Sequence, residues 1–276
     1  MLSPPAYGWK YDLPGPNSPP AMLIFPENLS EVPNHMDDIY LELPRATLLI
    51  RGAAICGSLA FFAISILPIE GWLDYYLASG HAASFKITCV AVAAWVFFAW
   101  LGVYFWRMDL HAPVDEPIRF NRARRKIYVY RFHHAILRPF SSTAWGVRVE
   151  VYYWDSLHAE FCSVYGPMGS GGLVETVSLA ITHPKTGAVI DRFLFAHRGY
   201  QAEMYWAMAQ MFMQQGPQAL PRFSNPPRDW NNEPQFFNIA RRLAPRVQWP
   251  ADIDLESRTA PDTVITNATK HDNAKD

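Results

Sequence analysis

Two long apolar runs dominate residues 51–107, which read RGAAICGSLAFFAISILPIEGWLDYYLASGHAASFKITCVAVAAWVFFAWLGVYFWR. Gly52–Ile69 contains 18 residues without a charge, and Ile87–Trp106 contains 20. A bilayer core about 30 Å thick needs about 20 helical residues, and neither run keeps the polar face of a helix on a soluble domain. The two runs therefore predict membrane spans at about residues 48–69 and 87–106, joined by about 16 residues. The alternative is a pair of helices buried in a soluble core, although a chain of 276 residues rarely encloses two such helices fully.

Charged residues beside the two runs predict the orientation of this hairpin. Arg45 and Arg51 precede the first span, whereas the segment between the spans has one lysine, Lys86. Six cations follow the second span: Arg107, Arg119, Arg122, Arg124, Arg125 and Lys126. Lysine and arginine accumulate on the cytoplasmic side of membrane proteins. The charges therefore predict that both termini lie in the cytoplasm and that the segment between the spans lies outside.

Composition narrows the classes of partner and cofactor. The formal net charge is -1, which gives no global attraction to nucleic acid. The three cysteines, Cys56, Cys89 and Cys162, have neither a disulfide framework nor metal-ligand spacing. We therefore expect the lipid bilayer as a partner and expect no nucleic acid, cofactor or metal, while the oligomeric state stays open.

Changes in amino-acid composition on either side of the hairpin divide the chain into four predicted segments. Residues 1–44 are rich in proline and aromatic residues, which is typical of an extended arm anchored on the main domain by Tyr7, Trp9 and Tyr11. A polyproline ligand for a partner is the alternative. Residues 45–107 form the predicted hairpin, residues 113–250 a cytosolic β-rich domain, and residues 251–276 a polar tail predicted to be disordered.

Alternating patterns predict at least five strands between about residues 117 and 196. IRFNRARRKIYVYRF at 118–132 is typical of a hairpin with a basic turn, and HPKTG at 183–187 of a tight turn. In WGVRVEVYYW at 145–154, one face carries Val147, Val149, Val151 and Tyr153 and the other Arg148, Glu150 and Tyr152, and we expect the valine face to lie in the core. A helix is predicted at about 199–215 and a short one within EPQFFNIARRLA at 233–244. The fold class is therefore α+β: a transmembrane helix hairpin, then an antiparallel β-sheet domain closed by a C-terminal helix.

Two groups of residues are candidates for a site. His158 and Glu160 form an HxE pair that would share one face of a strand, and Asp155 lies close by in sequence. They are weak catalytic candidates, because no CxxC partner completes a deaminase metal set. The basic turn supplies Arg122, Arg124, Arg125 and Lys126 as candidates for binding lipid headgroups, or for enforcing topology alone. GPMGSGG at 166–172 lacks the lysine of a phosphate-binding loop and predicts a flexible hairpin loop.

Several of these stretches also carry a resemblance to known families. Residues 46–216, through the RFNRARRKIYVYR hairpin and the final amphipathic helix, resemble bacterial membrane proteins with a pleckstrin-homology-like sheet after two spans. YGWKYDLPGP at 7–16, the basic hairpin, WGVRVEVYYW and PPRDWNNEP at 226–234 resemble a two-span family of unknown function found near type VI secretion genes in Gram-negative bacteria. The resemblance implies no catalytic residues. It implies an immunity or accessory factor of that secretion system, whose partner is a secreted toxin or a secretion-system protein.

Two other functions stay open. A membrane-associated effector or enzyme would use His158, Glu160 and Asp155, and a compact pocket holding these side chains would favour it. A lipid-sensing scaffold would use the sheet and its basic turn alone.

Overall fold

The computed structural model of the protein describes residues 2–19, 33–45, 52–81, 84–166, 172–197, 199–220, 223, 231 and 239–261. Its strands and helices, in chain order, are β1 (Trp9–Asp12), β2 (His35–Met36), β3 (Tyr40–Leu43), α1 (Ala53–Ser79), α2 (Phe85–His111), β4 (Ile118–Asn121), β5 (Lys126–His133), β6 (Gly146–Tyr153), β7 (Leu157–Tyr165), β8 (Leu173–Thr182), β9 (Val189–His197), α3 (Gly199–Gln215), α4 (Ile239–Leu243) and α5 (Ala251–Arg258). Most of the glycine-rich loop, the start of EPQFFNIARRLA and the tail from residue 262 lie outside the described residues.

The described strands form two antiparallel sheets. One has the order β1-β7-β8-β9 and the other β2-β3-β4-β5-β6. The chain passes from the second sheet to the first through a short 3-10 turn, Trp154–Ser156, whose Trp154 is fully buried in the core that the two sheets share. The structure therefore confirms an α+β chain with a helical hairpin and antiparallel sheets, although the strands form two sheets.

Both predicted turns are present. Asn121 pairs with Lys126 across the basic turn, so β4 and β5 form the hairpin that the sequence predicts. The turn between β8 and β9 is closed by a hydrogen bond from the Gly187 amide to the His183 carbonyl at 2.9 Å. Gly187 has φ +67°, a conformation that residues with a side chain rarely adopt. Local turn chemistry therefore sets the register of both hairpins.

The predicted inward face of β6 is wrong. Ile127 and Val129 of β5 point into the core, and they pair with Tyr152 and Glu150 of β6. Residues directly opposite each other in a sheet share one face. The outer face therefore carries the valines that were expected inside, Val147, Val149 and Val151. Val147 and Val151 are exposed and Val149 is half-buried.

The N-terminal residues are part of the domain rather than an arm laid on it. β1 pairs with β7, and β3 pairs with β4 from Tyr40↔Asn121 to Leu43↔Ile118. Of the predicted anchors, Tyr11 stacks on Phe161 with ring centroids 4.7 Å apart, whereas Tyr7 is exposed. Strands from before the hairpin thus complete sheets whose other strands follow it.

Helix α3 packs its apolar side chains against the sheets. Its side chains enter the shared core beside β8 and β9, including Ala202, Tyr205, Trp206, Ala209, Phe212 and Met213. Its polar groups hold the N-terminal segment: Trp206 Nε1 donates to the Pro14 carbonyl at 2.9 Å, and Gln210 Nε2 to the Gly15 carbonyl at 2.6 Å. One helix therefore contacts both the shared core and the proline-rich segment.

The prediction of disorder from residue 251 is wrong over the first residues of that tail. Residues 251–258 form α5, with Asp252 and Asp254 in its first turn, where carboxylates favour the positive end of a helix. Asp254 Oδ1 accepts a hydrogen bond from Arg119 Nη1 at 2.7 Å, and Glu256 Oε1 accepts one from Lys126 Nζ at 2.7 Å. Tertiary ion pairs on β4 and β5 thus order a segment that is polar in composition.

Removing α5 should destabilise the domain. Deleting residues 251–276 takes Asp254 and Ser257 away from the buried Arg119 guanidinium, which leaves donors without acceptors. We expect a loss of about 1–3 kcal/mol and a fall in Tm of about 5 °C in detergent. Deleting only residues 262–276 is the matched control and should leave Tm unchanged. Equal Tm values for the two truncations would contradict this role of α5.

Candidate functional site

Helices α1 and α2 expose most of their apolar surface. Each has 27 residues, and their most apolar windows of 18 residues have mean hydropathies of 1.9 and 2.0, with 11% and 6% of those residues buried. At about 1.5 Å per residue each helix is about 40 Å long, enough to cross a hydrocarbon core of about 30 Å. A pair of core helices would be covered by protein, and the described residues leave this pair largely uncovered. The protein therefore has two helices long and apolar enough to span a membrane.

The two helices pack closely against each other. The position of a Cβ atom on Gly102 would lie 2.7 Å from the Phe62 ring, so the missing side chain lets the helices approach. Phe61 stacks on Phe105 with centroids 5.4 Å apart, and Trp72 Nε1 donates to Thr88 Oγ1 at 3.0 Å. The joining segment is shorter than predicted, because α1 continues to Ser79 and α2 begins at Phe85.

A carboxylate on α2 caps the start of α1. Asp109 Oδ2 accepts hydrogen bonds from the backbone amides of Gly52 at 3.0 Å and Ile55 at 2.9 Å, and Asp109 is buried. The first amides of a helix have no partner within it and carry partial positive charge. Asp109 therefore ties together the two ends of the hairpin that join the sheet domain.

Both outer ends of the hairpin enter the same domain. α1 follows β3 and α2 precedes β4, and these two strands are neighbours in one sheet. The two helices are joined between Ser79 and Phe85, at the end of the hairpin that is remote from the sheet domain. The chain segments before and after the hairpin consequently lie on one side of it.

Arg45, predicted as a flanking charge, is buried inside the domain. Its guanidinium donates to the carbonyls of Glu116 at 2.5 Å, Tyr130 at 2.9 Å and Leu194 at 2.9 Å. Its backbone amide donates to Asp115 Oδ1 at 2.8 Å, and burial raises the pKa of Asp115 to about 6. Since Tyr130 lies on β5 and Leu194 on β9, Arg45 links the two sheets immediately before the hairpin begins.

The basic turn is held largely by the protein itself. Arg125 Nη2 pairs with Asp155 Oδ1 at 2.5 Å, Arg124 Nε donates to the Thr259 carbonyl at 2.9 Å, and Lys126 pairs with Glu256. Arg122 lies beside Gly216. Binding of lipid headgroups by Arg122, Arg124, Arg125 and Lys126 stays a prediction, and it would compete with these contacts.

The basic turn also lies at the end of β5 that is remote from the apolar helix α2. It lies at the end of β5 opposite to His133, whose neighbour His134 contacts Tyr104 of α2 with ring centroids 6.1 Å apart. At about 3.3 Å per residue, seven steps along the strand separate Lys126 from His133 by roughly 23 Å. That distance exceeds the Debye length of about 8 Å at physiological ionic strength. Salt would therefore largely screen the attraction between the basic turn and charges at the His133 end of the strand.

The three weak catalytic candidates each have a separate partner. Glu160 is fully buried and pairs with Arg192, with Oε2 2.7 Å from Nε. His158 is exposed, with Nδ1 3.4 Å from Thr182 Oγ1. Hydrogen bonds from Asn17 and Arg125 hold the pKa of Asp155 below its usual value. Glu160 is thus committed to a structural ion pair, which a general base would have to give up.

A polar cavity that the sequence did not indicate lies between β3, β4 and the C-terminal segment. Its volume is about 300 Å³ and its lining includes Asn34, Glu42, Asp115, Arg119, Trp249 and Asp254. Arg119 stacks over the Trp249 ring at 4.1 Å and pairs with both Glu42 and Asp254. Within the described part of the chain, no group of three or more histidine, cysteine, aspartate or glutamate side chains is placed to hold a metal. The cavity wall is therefore an ion-paired part of the fold.

Strand β6 presents exposed apolar side chains at one edge of the sheet domain. It is the last strand of its sheet and pairs with β5 alone among the described strands. Val147, Val151 and Tyr153 are exposed along it. An edge strand offers unpaired backbone groups to another chain, and alternate side chains add specificity. β6 is therefore the candidate surface for a protein partner, and its sequence alternation alone did not reveal which face is exposed.

Comparison with known proteins identifies a family over most of this domain. Residues 95–261, more than half of the chain, match the model of a family of unknown function (DUF6708). The match begins within α2 and ends just after α5. No curated protein and no solved structure matches the chain.

The close contact between α1 and α2 predicts the effect of enlarging Gly102. Gly102→Leu should force the helices apart, because its Cβ would overlap the Phe62 ring, and should lower Tm in detergent by about 5 °C. Gly57→Leu is the matched control in α1: its Cβ would meet no atom within 4 Å among the described residues, so we expect no fall in Tm. A similar loss in both variants would contradict this packing.

Proposed function

We propose that this chain, which belongs to the DUF6708 family, is a membrane-anchored binding protein of the bacterial inner membrane. The observation that carries the proposal is the bare apolar surface of α1 and α2, beside a two-sheet domain that has a core of its own. An uncovered surface of this kind needs an apolar environment, and two helices of this length suit a bilayer.

The connectivity of the chain supports a location of the whole domain on one side of the membrane. Because β3 pairs with β4, the segments on either side of the hairpin lie on the same side of the membrane. The excess of arginine on the outer flanks favours the cytoplasm for that side. We therefore propose two spans with both termini cytoplasmic, and only the short segment between Ser79 and Phe85 outside.

The domain would be the binding part of the molecule. We propose a pleckstrin-homology-like arrangement in which α3 is the closing helix of the two sheets, supported by its packing beside β8 and β9. The edge of β6 would receive the partner. The resemblance to proteins found near type VI secretion genes supports a role as an immunity or accessory factor, with a secreted toxin or a secretion-system protein as that partner.

The two alternatives have weaker support from the described contacts. An enzyme would need Glu160, which is held by Arg192, and Asp155, which is held by Arg125 and Asn17. A lipid-sensing scaffold would need the basic turn, whose Arg124, Arg125 and Lys126 already have protein acceptors. Binding of a partner along the edge of β6 would require none of these ion pairs and hydrogen bonds to break.

Competition between sister cells tests the proposed function. A strain lacking the gene should be killed by toxin-bearing sister cells or secrete poorly, and the wild-type gene should restore it. Val151→Asp places a charge on the exposed face of β6 with little expected effect on folding, and we expect it to lose at least tenfold in protection or secretion. Ile190→Asp, at an exposed position on β9, is the matched control and should restore function fully.

The same assay separates the alternatives. Full resistance and normal secretion in the deletion strain would reject the immunity and accessory roles. Loss of function in His158→Ala, with the protein folded and present at the wild-type level, would favour the enzyme. His158 suits this test because it is exposed, whereas replacing Glu160 would leave Arg192 unpaired.

A further inference from the structure

The segment that joins β5 to β6, residues 134–145, lies along α2; we call it the junction loop. Trp100 Nε1 donates to the Ile136 carbonyl at 3.1 Å, and Arg107 Nη1 donates to the carbonyls of Pro139 and Ser141, the latter at 3.0 Å. The Arg107 guanidinium also lies 4.7 Å from the Trp145 ring centroid. The junction loop is therefore fixed to the second apolar helix at two levels.

These contacts place the junction loop beside the apolar run rather than beyond its end. The charge-free run of α2 ends at Trp106, and Trp100 is six residues before that point. At about 1.5 Å per residue, Trp100 is about 9 Å inside the run. A segment that is hydrogen-bonded to Trp100 thus reaches the depth of the apolar surface of the helix.

The junction loop carries large apolar side chains that the described part of the chain does not cover. Ile136 is 54% exposed, Leu137 78% and Phe140 75%. Three such residues within five positions are unusual for a loop in water, where surface segments are polar. Here they extend the exposed apolar surface of α2.

The backbone of the junction loop has internal partners. Carbonyls of five of its residues accept hydrogen bonds within the chain: Ala135, Ile136, Arg138, Pro139 and Ser141. Lipid-exposed irregular backbone does not enter the hydrocarbon core, so a loop of this kind suits the interfacial level of a membrane, where its internal partners reduce the cost of leaving water. The donors include the Trp100, Arg107 and Trp145 side chains, so these five carbonyls do not depend on water for a partner.

We propose that the junction loop inserts Ile136, Leu137 and Phe140 into the leaflet on the domain side of the membrane, as a second contact between the domain and the bilayer. This inference rests on the proposed membrane location of α1 and α2. Arg138 is exposed in the same loop and has a side chain long enough to reach the headgroups. Insertion to a depth of about 5–10 Å is usual for interfacial segments and agrees with the level of Trp100. Because β5 and β6 both end at this loop, its insertion fixes the orientation of their sheet on the membrane.

A depth measurement tests the proposal on the full chain in liposomes of phosphatidylethanolamine and phosphatidylglycerol. Cys56, Cys89 and Cys162 are replaced by alanine, and one cysteine labelled with the fluorophore NBD is introduced per variant. The positions are Leu137→Cys in the junction loop, Val96→Cys within α2 and Lys185→Cys in the β8–β9 turn. We expect lipids with a quencher on the acyl chain to quench Leu137→Cys and Val96→Cys at least twofold more than Lys185→Cys, which should report water.

Each outcome decides between the claims. Quenching at Val96→Cys with none at Leu137→Cys overturns the inference and leaves the proposed membrane location intact. Absence of lipid quenching at both positions rejects the membrane location and the inference together. A blue-shifted emission at Leu137→Cys without lipid quenching assigns the junction loop to a second copy of the chain and also overturns the inference.

Discussion

The constraint on which this structure depends is the apolar surface of α1 and α2, which the rest of the described chain leaves uncovered. Exposed apolar area costs about 25 cal/mol per Å² in water, so two helices of this length need an environment that is not water. The hairpin interrupts the domain in sequence but joins it at one place in space. Its two outer ends are held together by Asp109, whose carboxylate receives the first amides of α1.

A domain interrupted in this way needs contacts that join its two parts. Arg45, the last described residue before the hairpin, binds carbonyls next to β4, on β5 and on β9. Arg119 joins Glu42 on β3 to Asp254 on α5. Both cations are buried, and leaving a donor of a buried cation without its acceptor costs about 1–3 kcal/mol. These two arginines therefore connect segments that are far apart in sequence.

The sequence predicted features that depend on local chemistry. The two long apolar helices follow from charge-free length, the β4–β5 and β8–β9 hairpins from turn residues, and α3 from helical periodicity. Helix α5 was missed, because its polar residues resemble a disordered tail until Arg119 and Lys126 supply partners. The faces of β6 were inverted, because its valines and its polar residues alternate equally well and only pairing with β5 decides between them. Arg45 was interpreted as a flanking charge, since its acceptors are backbone carbonyls that no sequence pattern marks.

Reporter fusions on the full chain test the central claim, that α1 and α2 cross the membrane and leave the whole sheet domain on one side. Alkaline phosphatase is active only outside the cytoplasm, and green fluorescent protein exported by the general secretory route is not fluorescent. The account predicts an active phosphatase inserted after Gly80, between the helices, together with a fluorescent protein fused to the C-terminus. An inactive phosphatase after Gly80, in a chain that is present at the normal level, would contradict it.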